Sequence, residues 1–308
     1  MQLHQLAYFV AVADLRHFTR AAESLHVAQP SLSQQIRALE ADLGARLFTR
    51  GPGGVTLTAA GEELLPLARR ILADAGTVRR VVREVDGLER GRVRLGATPS
   101  LCTSLLPRIL ADFRREYPGV SLLVTEGGSR DLQQGLTEGA LDLALIIDSR
   151  VAEDSRLQTT ELFREELVVI SAADAPGLPP GRASVGDLRG RPLVLFRAGY
   201  DLRETTLAAC RAEGFEPTLA VEGGEMDAVL AFVAAGLGLA VVPSAVADDR
   251  FAVTRFAGAG LVRTVHLATR SDVEAPPAAK QLQRMTTAFL AAQAADGALP
   301  LGVRTADV

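Results

Sequence analysis

Residues 27–44, VAQPSLSQQIRALEADLG, read as one helix with two unlike faces. Leu32, Ile36, Leu39 and Leu43 recur at steps of four, three and four, which places them in one apolar stripe. At about 100° per residue, Pro30, Ser33, Gln34 and Arg37 fall on the opposite side, flanked by Gln29 and Ser31. Pro30 belongs in the first turn, where a missing N–H costs nothing. A helix that is only solvated carries Glu and Lys on its outer face. Ser, Gln and Arg are instead the side chains that hydrogen-bond base edges and phosphates in a major groove.

The neighbouring segments complete a helix-turn-helix. Leu3, Leu6, Val10 and Ala13 give a first helix of similar spacing, broken at Arg16-His17-Phe18. Thr19 is read as the N-cap of a short second helix over 20–25, with Glu23 near its positive end. A turn over 26–28 leads into the helix quoted above, an arrangement that carries a reading helix into DNA. Beyond Leu47-Phe48, Arg50-Gly51-Pro52-Gly53-Gly54 is a turn and Val55-Thr56-Leu57 an extended return. This makes a two-stranded wing from which Arg50 reaches phosphate or minor groove.

The order of these pieces, AAESLHVAQPSLSQQIRALEADLGARLFTR, then VTLT, then AG and a long helix, resembles the LysR-type family of bacterial transcriptional regulators. Ser31-Leu32-Ser33-Gln34-Gln35-Ile36, Leu43-Gly44 and Leu47-Phe48 carry the resemblance most specifically, and it extends over almost the whole chain. The family's wing usually holds a second basic residue, where Pro52-Gly53-Gly54 offers none.

The chain has 308 residues, 48% of them hydrophobic, enough for more than one domain with its own core. Its net charge of −4 is not that of a protein held to DNA by bulk charge. Residues 1–58 carry five Arg against four acids, a net of +1, so recognition has to come from placement and dimerisation. No apolar run reaches membrane-spanning length, and the N-terminus has helix periodicity in place of a signal peptide, which predicts a cytoplasmic protein without membrane partners. Cys102 and Cys210 are distant in sequence, with no CxxC and no neighbouring His. Two reduced, buried thiols are expected, and no cofactor or metal.

From Thr58, a further N-cap, a helix is predicted to about residue 86. Leu64, Ala68, Ile71, Ala75, Val78, Val82 and Val85 alternate at steps of four and three, the seam of a coiled coil. Pro66 removes one backbone bond and predicts a kink near the start. The seam either packs on its own domain or pairs two chains. The resemblance implies the second: a linker helix that dimerises the protein, sets two reading helices on an interrupted dyad of double-stranded DNA, and builds dimers into a homotetramer. RNA polymerase is a further partner that the resemblance allows. A hinge is expected over 87–91.

The remainder alternates strands and helices. Strands are predicted over 92–97, 120–125, 141–147, 167–171, 193–196, 218–221, 239–242 and 263–269, and helices over 105–117, 132–138, 205–213, 226–235 and 280–292. Strands of nearly unbroken aliphatics are buried on both faces, which predicts a mostly parallel sheet covered by helices. With crossings near 162–166 and 265–268, two α/β lobes arise, in the bilobed form of periplasmic solute receptors that the family shares. Gly236-Leu237-Gly238 is too sparse for a dinucleotide motif and reads as a tight turn.

Ligands of open α/β sheets bind at the carboxyl ends of strands. Those ends nominate Thr98-Pro99-Ser100, Glu126 to Ser129 (with Ser129 as an N-cap), Ile147-Asp148, Phe196-Arg197 and Val221-Glu222. The resemblance implies that Thr98, Ser100, Thr125, Ile147, Phe196 and Val221 surround the effector. For the hydroxyls, helix capping is the alternative role. The N-terminus at 98–100 suits a carboxylate or phosphate, and Arg197 either pairs an acidic effector or lies on the surface.

The fold class is therefore α/β with an N-terminal winged helix-turn-helix. The domains are 1–58 for DNA, 59–90 for linker and hinge, and 91–308 for effector, the last split into lobe I (about 91–163 and 268–300) and lobe II (about 164–267). The expected function is a DNA-binding regulator modulated by a small-molecule effector, not an enzyme. The alternatives are a constitutive DNA binder with a vestigial cleft, and a receptor or enzyme for a small acid. No nucleophile elbow, Walker motif or paired His supports catalysis.

Overall fold

The computed structural model describes residues 1–51, 54–83, 91–147, 156–174, 177–178 and 181–305, without the side chains of 50, 51 and 79–83. Pro52, Gly53, Val85, Asp148 and residues 87–90 of the expected hinge lie outside the described residues, as do the side chains of Arg50 and Val82. The chain forms two compact units, one of residues 1–86 with 137–141, the other of 87–136 with 142–308.

The first unit begins with α1 (Leu3–Leu15), α2 (Phe18–Ser24) and α3 (Gln29–Leu43). Its core collects Leu6, Phe9, Val12, Ala21, Ala22, Leu32, Ile36, Leu39, Leu47 and Phe48. In α1 the buried stripe is Gln5, Leu6, Phe9 and Val12, while Leu3 is exposed. The inward face is thus rotated from the expected Leu3/Leu6/Val10/Ala13 series, because the larger Phe9 takes the centre and packs on Phe48 at 5.3 Å. The second helix starts at Phe18, and His17 is its cap, accepting the Arg20 N–H at Nδ1 (3.4 Å). Thr19 therefore lies inside the helix and does not cap it.

β1 (Phe48–Gly51) and β2 (Gly54–Leu57) pair antiparallel, Phe48 opposite Leu57, as the expected wing. Glu40 of α3 accepts the N–H groups of Leu47 and Phe48 (2.8 and 3.4 Å), which ties the wing's first strand to the reading helix. Between them Gly44 turns the chain at φ +69, a left-handed conformation that a side chain would strain. Thr58 caps α4 (Ala59–Arg83) as predicted, accepting the Gly61 N–H at 3.1 Å. Pro66 sits inside this helix, which continues through it.

The second unit holds two hydrophobic cores. The first is built on β3 (Gly91–Ala97), α5 (Pro99–Thr103), α6 (Leu106–Glu116), β4 (Val120–Glu126), α7 (Ser129–Thr137) and β5 (Leu143–Ile147). β6 (Leu157–Ala172) then leaves it for the second core. That core is formed with β7 (Arg182–Ala183), β8 (Pro192–Leu195), α8 (Asp201–Ala212), β9 (Thr218–Glu222), α9 (Met226–Ala234), β10 (Ala240–Pro243) and β11 (Phe251–Phe256). β12 (Leu261–Arg270) returns to the first core, followed by α10 (Pro277–Ala295) and β13 (Val303–Thr305).

The sheet differs from the mostly parallel one expected. β3 pairs β4 and β5 in parallel, and β8 pairs β9 in parallel, but β12 pairs both β5 and β6 antiparallel, as do β10 and β11 with β6. The reason is the pair of crossing strands: β6 runs out through both lobes and β12 runs back along it from Leu167 to Leu157. Phe163 belongs to the first core and Leu167 to the second, Leu261 packs on the second and Val265 belongs to the first. The crossings are therefore centred on 164–166 and 262–264, the latter a few residues earlier than the expected 265–268. β11 and β13 have no counterpart among the strands predicted from sequence. At Gly238 an added Cβ would lie 2.5 Å from the Pro192 carbonyl oxygen, so the tight turn after α9 requires glycine there.

Candidate functional site

The exposed residues of α3 are Pro30, Ser31, Gln34, Arg37, Ala38, Ala41, Asp42 and Leu43, so the last leucine of the expected apolar stripe lies outside the core. Ser33 is not among them. It is buried on the helix flank, and its hydroxyl accepts the Gln29 amide at 2.8 Å. At about 100° per residue Ser33 shares that flank with Gln29 and Glu40, between apolar stripe and open face. Ala28, the N-cap of α3, supplies no side-chain bond, which leaves first-turn N–H groups for an outside acceptor. Past Gly44, Arg46 joins Arg37 around a shallow hollow of about 400 Å³, a second cation beside the reading face that helix periodicity alone did not single out.

The apolar seam of α4 divides. Ala68 is fully buried in its own unit, where Leu64, Leu65 and Leu72 also pack, and Arg69 anchors this side by donating to Asp14 of α1 (2.6 Å). Ile71 and Val78 face outward, 37% and 63% exposed, and Leu67 joins them. Ala75 is half-buried. Among its described side chains the seam therefore serves two surfaces, with the Ile71–Val78 flank uncovered.

In the second unit two of the nominated strand ends, at Ser100 and at Ser129 with Ile147, make contacts that cross between the lobes. Ser100 is fully buried, and its hydroxyl accepts from Arg263 Nη1 at 2.9 Å, with the Thr98 hydroxyl at 3.5 Å. Arg263 is itself held by Glu165 Oε2, at 3.0 Å from Nε and 2.7 Å from Nη2, and Glu165 Oε1 accepts the Ala245 N–H at 3.0 Å. The two residues are register partners on β12 and β6 at the crossing, with side chains 5% and 1% exposed. Sequence separation of 98 residues hid this pair from periodicity and spacing.

Ser129 opens α7 as a bridge rather than a cap. Its hydroxyl accepts the Ile147 N–H (3.0 Å) and donates to Asp201 Oδ2 of the other lobe (2.6 Å). Phe196 is buried and stacks on Tyr200 with ring centroids 4.7 Å apart. Ile147 is buried, Val221 half-buried and Thr125 exposed at the end of β4. Thr98 and Ser100 thus meet Arg263 at the crossing and Ile147 is tied through Ser129 to the other lobe, whereas Phe196 belongs to the core of the second lobe, with Val221 packed on that core.

The two groups expected to meet an acidic effector are engaged otherwise. Arg197 pairs with Glu225, and the Ser100 hydroxyl belongs to Arg263. The Glu126 carboxyl is held above the usual carboxylate range, by burial first and then by Glu225 and Asp227 of the opposite lobe. Burial pushes the Cys102 thiol up to about 11 and raises Cys210 as well. Among the described residues no group of His, Cys, Asp and Glu could hold a metal ion, and no helix is long and apolar enough to cross a membrane.

Residues 3–62 match the family model described as bacterial regulatory helix-turn-helix protein, lysR family, and residues 86–291 match the LysR substrate binding domain. The chain is 34% identical over 282 residues to a probable hydrogen peroxide-inducible genes activator of Mycobacterium avium, covering 87% of each. Among solved structures it resembles a full-length, singly substituted OxyR from Pseudomonas aeruginosa, with a TM-score of 0.70, 28% identity and 93% of each chain covered. It also resembles full-length CbnR in complex with its target DNA, with a TM-score of 0.67, 26% identity and 93% and 99% of the two chains covered.

Proposed function

Because the chain belongs to the LysR family of bacterial helix-turn-helix transcriptional regulators, we propose that α3 reads its operator through Pro30, Ser31, Gln34 and Arg37. The protein is a DNA-binding transcriptional regulator modulated by an effector in its substrate-binding domain, and its relatives are regulators, not enzymes. The observation that supports the reading face is its exposure: Gln34 and Arg37 extend outward from a helix whose opposite side buries Leu32, Ile36 and Leu39. Ser33 contributes by holding Gln29, and Arg50 and Arg46 add phosphate contacts on either side.

The domains are 1–58, 59–90 and 91–308. Ile71, Ala75 and Val78 pair two chains, continued by Val82 and Val85, while Leu64 and Ala68 brace the helix on its own domain. Such dimers assemble into a homotetramer on an interrupted dyad, in the cytoplasm and with RNA polymerase as the further partner. Thr98, Ser100, Thr125, Ile147, Phe196 and Val221 border the effector.

The name of the Mycobacterium avium relative raises the question of peroxide. In this chain both thiols have raised pKa values, so they stay protonated at neutral pH and are poor nucleophiles. The raised values favour a bound molecule over thiol oxidation as the signal. DNase footprinting on the DNA flanking the chain's own gene tests the whole reading. A protected interrupted dyad supports it, and uniform, salt-sensitive protection without a preferred site contradicts it.

A further inference from the structure

Among its described residues the first unit buries two polar side chains, Gln5 and Ser33, and their bonds differ in kind. Ser33 bonds to Gln29 of its own helix, a contact that turns with α3 and cannot set its rotation. Gln5 belongs to α1, and its Nε2 donates to Oε1 of Gln35 on α3 at 3.1 Å. His4 Nε2 donates to the same oxygen at 3.2 Å. Gln5 Oε1 in turn accepts the Gln2 N–H at 2.9 Å, so turning that amide over would set donor against donor and acceptor against acceptor.

Among the described residues, Gln35 is the one side chain of α3 hydrogen-bonded to α1 or α2. The remaining contact is apolar, with Leu6, Phe9, Leu32, Ile36 and Leu39 in one core. Burial of such groups follows area and not direction, so it tolerates a range of helix rotations. A hydrogen bond has a preferred line, and two that converge on one oxygen fix which way α3 faces as it lies on α1. The place of Gln35 suits this task. At about 100° per residue Gln34 lies between Ser33 and Gln35, about 100° from each, so the brace stands at one border of the reading face.

Resting on the reading of α3 as the recognition helix, we propose that Gln35 is a positioning residue for DNA reading, with Gln5 and His4 as its anchors. It sets the rotation of α3 on α1 and so directs Gln34 and Arg37 at the base edges. A turn of about 20° displaces groups at the helix surface, about 5–6 Å from the axis, by about 2 Å, more than a hydrogen bond tolerates. Stability depends on the bond differently. Removing both partners together leaves no buried group unsatisfied, whereas the direction of the helix loses its brace.

The test compares the full-length parent with Gln35→Met, Gln5→Met/Gln35→Met and Gln35→Glu. Each is measured by its melting curve and by its affinity for the footprinted operator and a scrambled duplex at one salt concentration. Gln35→Met alone strands the buried Gln5 amide and should melt below the parent, and the double variant should regain most of that loss. The operator-to-scrambled ratio should nevertheless fall about tenfold in the double variant, equivalent to about one base contact. Gln35→Glu keeps the accepting oxygen and should keep the ratio, even as its charge weakens binding to both duplexes. Discrimination that returns together with Tm in the double variant marks a merely structural bond and overturns the proposal. So does a loss shared equally by both duplexes, which is a lost phosphate contact, or a ratio lost in Gln35→Glu as well. A parent that does not discriminate between the duplexes would instead remove the reading of α3 on which the proposal rests.

Discussion

Arg263 and Glu165 face each other across neighbouring strands at the point where the chain changes lobes, joined by two hydrogen bonds of 3.0 and 2.7 Å. Arg263 extends the link to Ser100 in the first lobe, and Glu165 to the Ala245 N–H in the second. The hinge between lobes is thus pinned by one fully desolvated ion pair whose remaining polar atoms reach into both sides. Removing one partner leaves the other charge buried and unpaired. Glu165→Gln should destabilise the effector domain by about 3–5 kcal/mol, read by urea denaturation. The double variant Glu165→Leu/Arg263→Met should lose clearly less, and a loss equal to the single variant's or larger would refute the pairing argument.

The division of α4 gives a contrasting pair of substitutions. Ala68→Asp places a charge in the core of the first unit and should prevent that unit from folding, seen as loss of its cooperative transition. Val78→Glu alters an exposed position, so the fold should persist while self-association weakens by about tenfold or more in sedimentation experiments. An unchanged association constant for Val78→Glu would remove this flank from the dimer interface.

Glu126 carries a pH signature. Its raised pKa means that the folded protein takes up a proton before the unfolded chain does, as burial, Glu225 and Asp227 all disfavour the charge, with the Cys102 thiol the other titratable group that feels it. The penalty is absent below the ordinary Glu value, grows as pH rises through the raised value, and is complete above it. Glu126→Gln should therefore raise Tm at neutral pH and make no difference at acid pH. A variant as stable as the parent at both values would contradict the electrostatic account of the cleft.

The helix-turn-helix, the long fourth helix and the alternation of the effector domain were legible because each depends on local spacing. Leu32, Ile36 and Leu39 are buried as their 3–4 steps require, while Leu43 at the end of the stripe is exposed. What spacing could not supply was the phase of weak patterns and the long-range contacts. In α1, Phe9 displaced Val10 because side-chain volume, not hydrophobicity alone, decides which residue fills a core. Ser33 sits near the boundary of the helix faces, where a rotation of a few tens of degrees separates reading from packing. Ser129 looked like a cap because its partners, Ile147 and Asp201, are 18 and 72 residues away. The antiparallel crossings escaped notice because continuous aliphatic runs look alike whichever way their neighbours run.

Ser33 offers a direct check on that boundary. Since its hydroxyl is spent on Gln29, Ser33→Ala should weaken operator binding less than loss of an exposed reading residue does, in fluorescence-anisotropy titrations. A loss as large as that of Arg37→Ala would return Ser33 to the contact face.

The outer face of α3 is where regulation meets DNA, and its side chains can be removed one at a time. The deciding measurement is the affinity of the full-length protein for its footprinted operator and for a scrambled duplex, at one fixed salt concentration, with Gln34→Ala and Arg37→Ala beside the parent. Each substitution should weaken operator binding by about 1–3 kcal/mol, with a much smaller change on the scrambled duplex and an unaltered melting curve. Operator affinity unchanged in both variants would contradict the assignment of α3 as the helix that reads DNA.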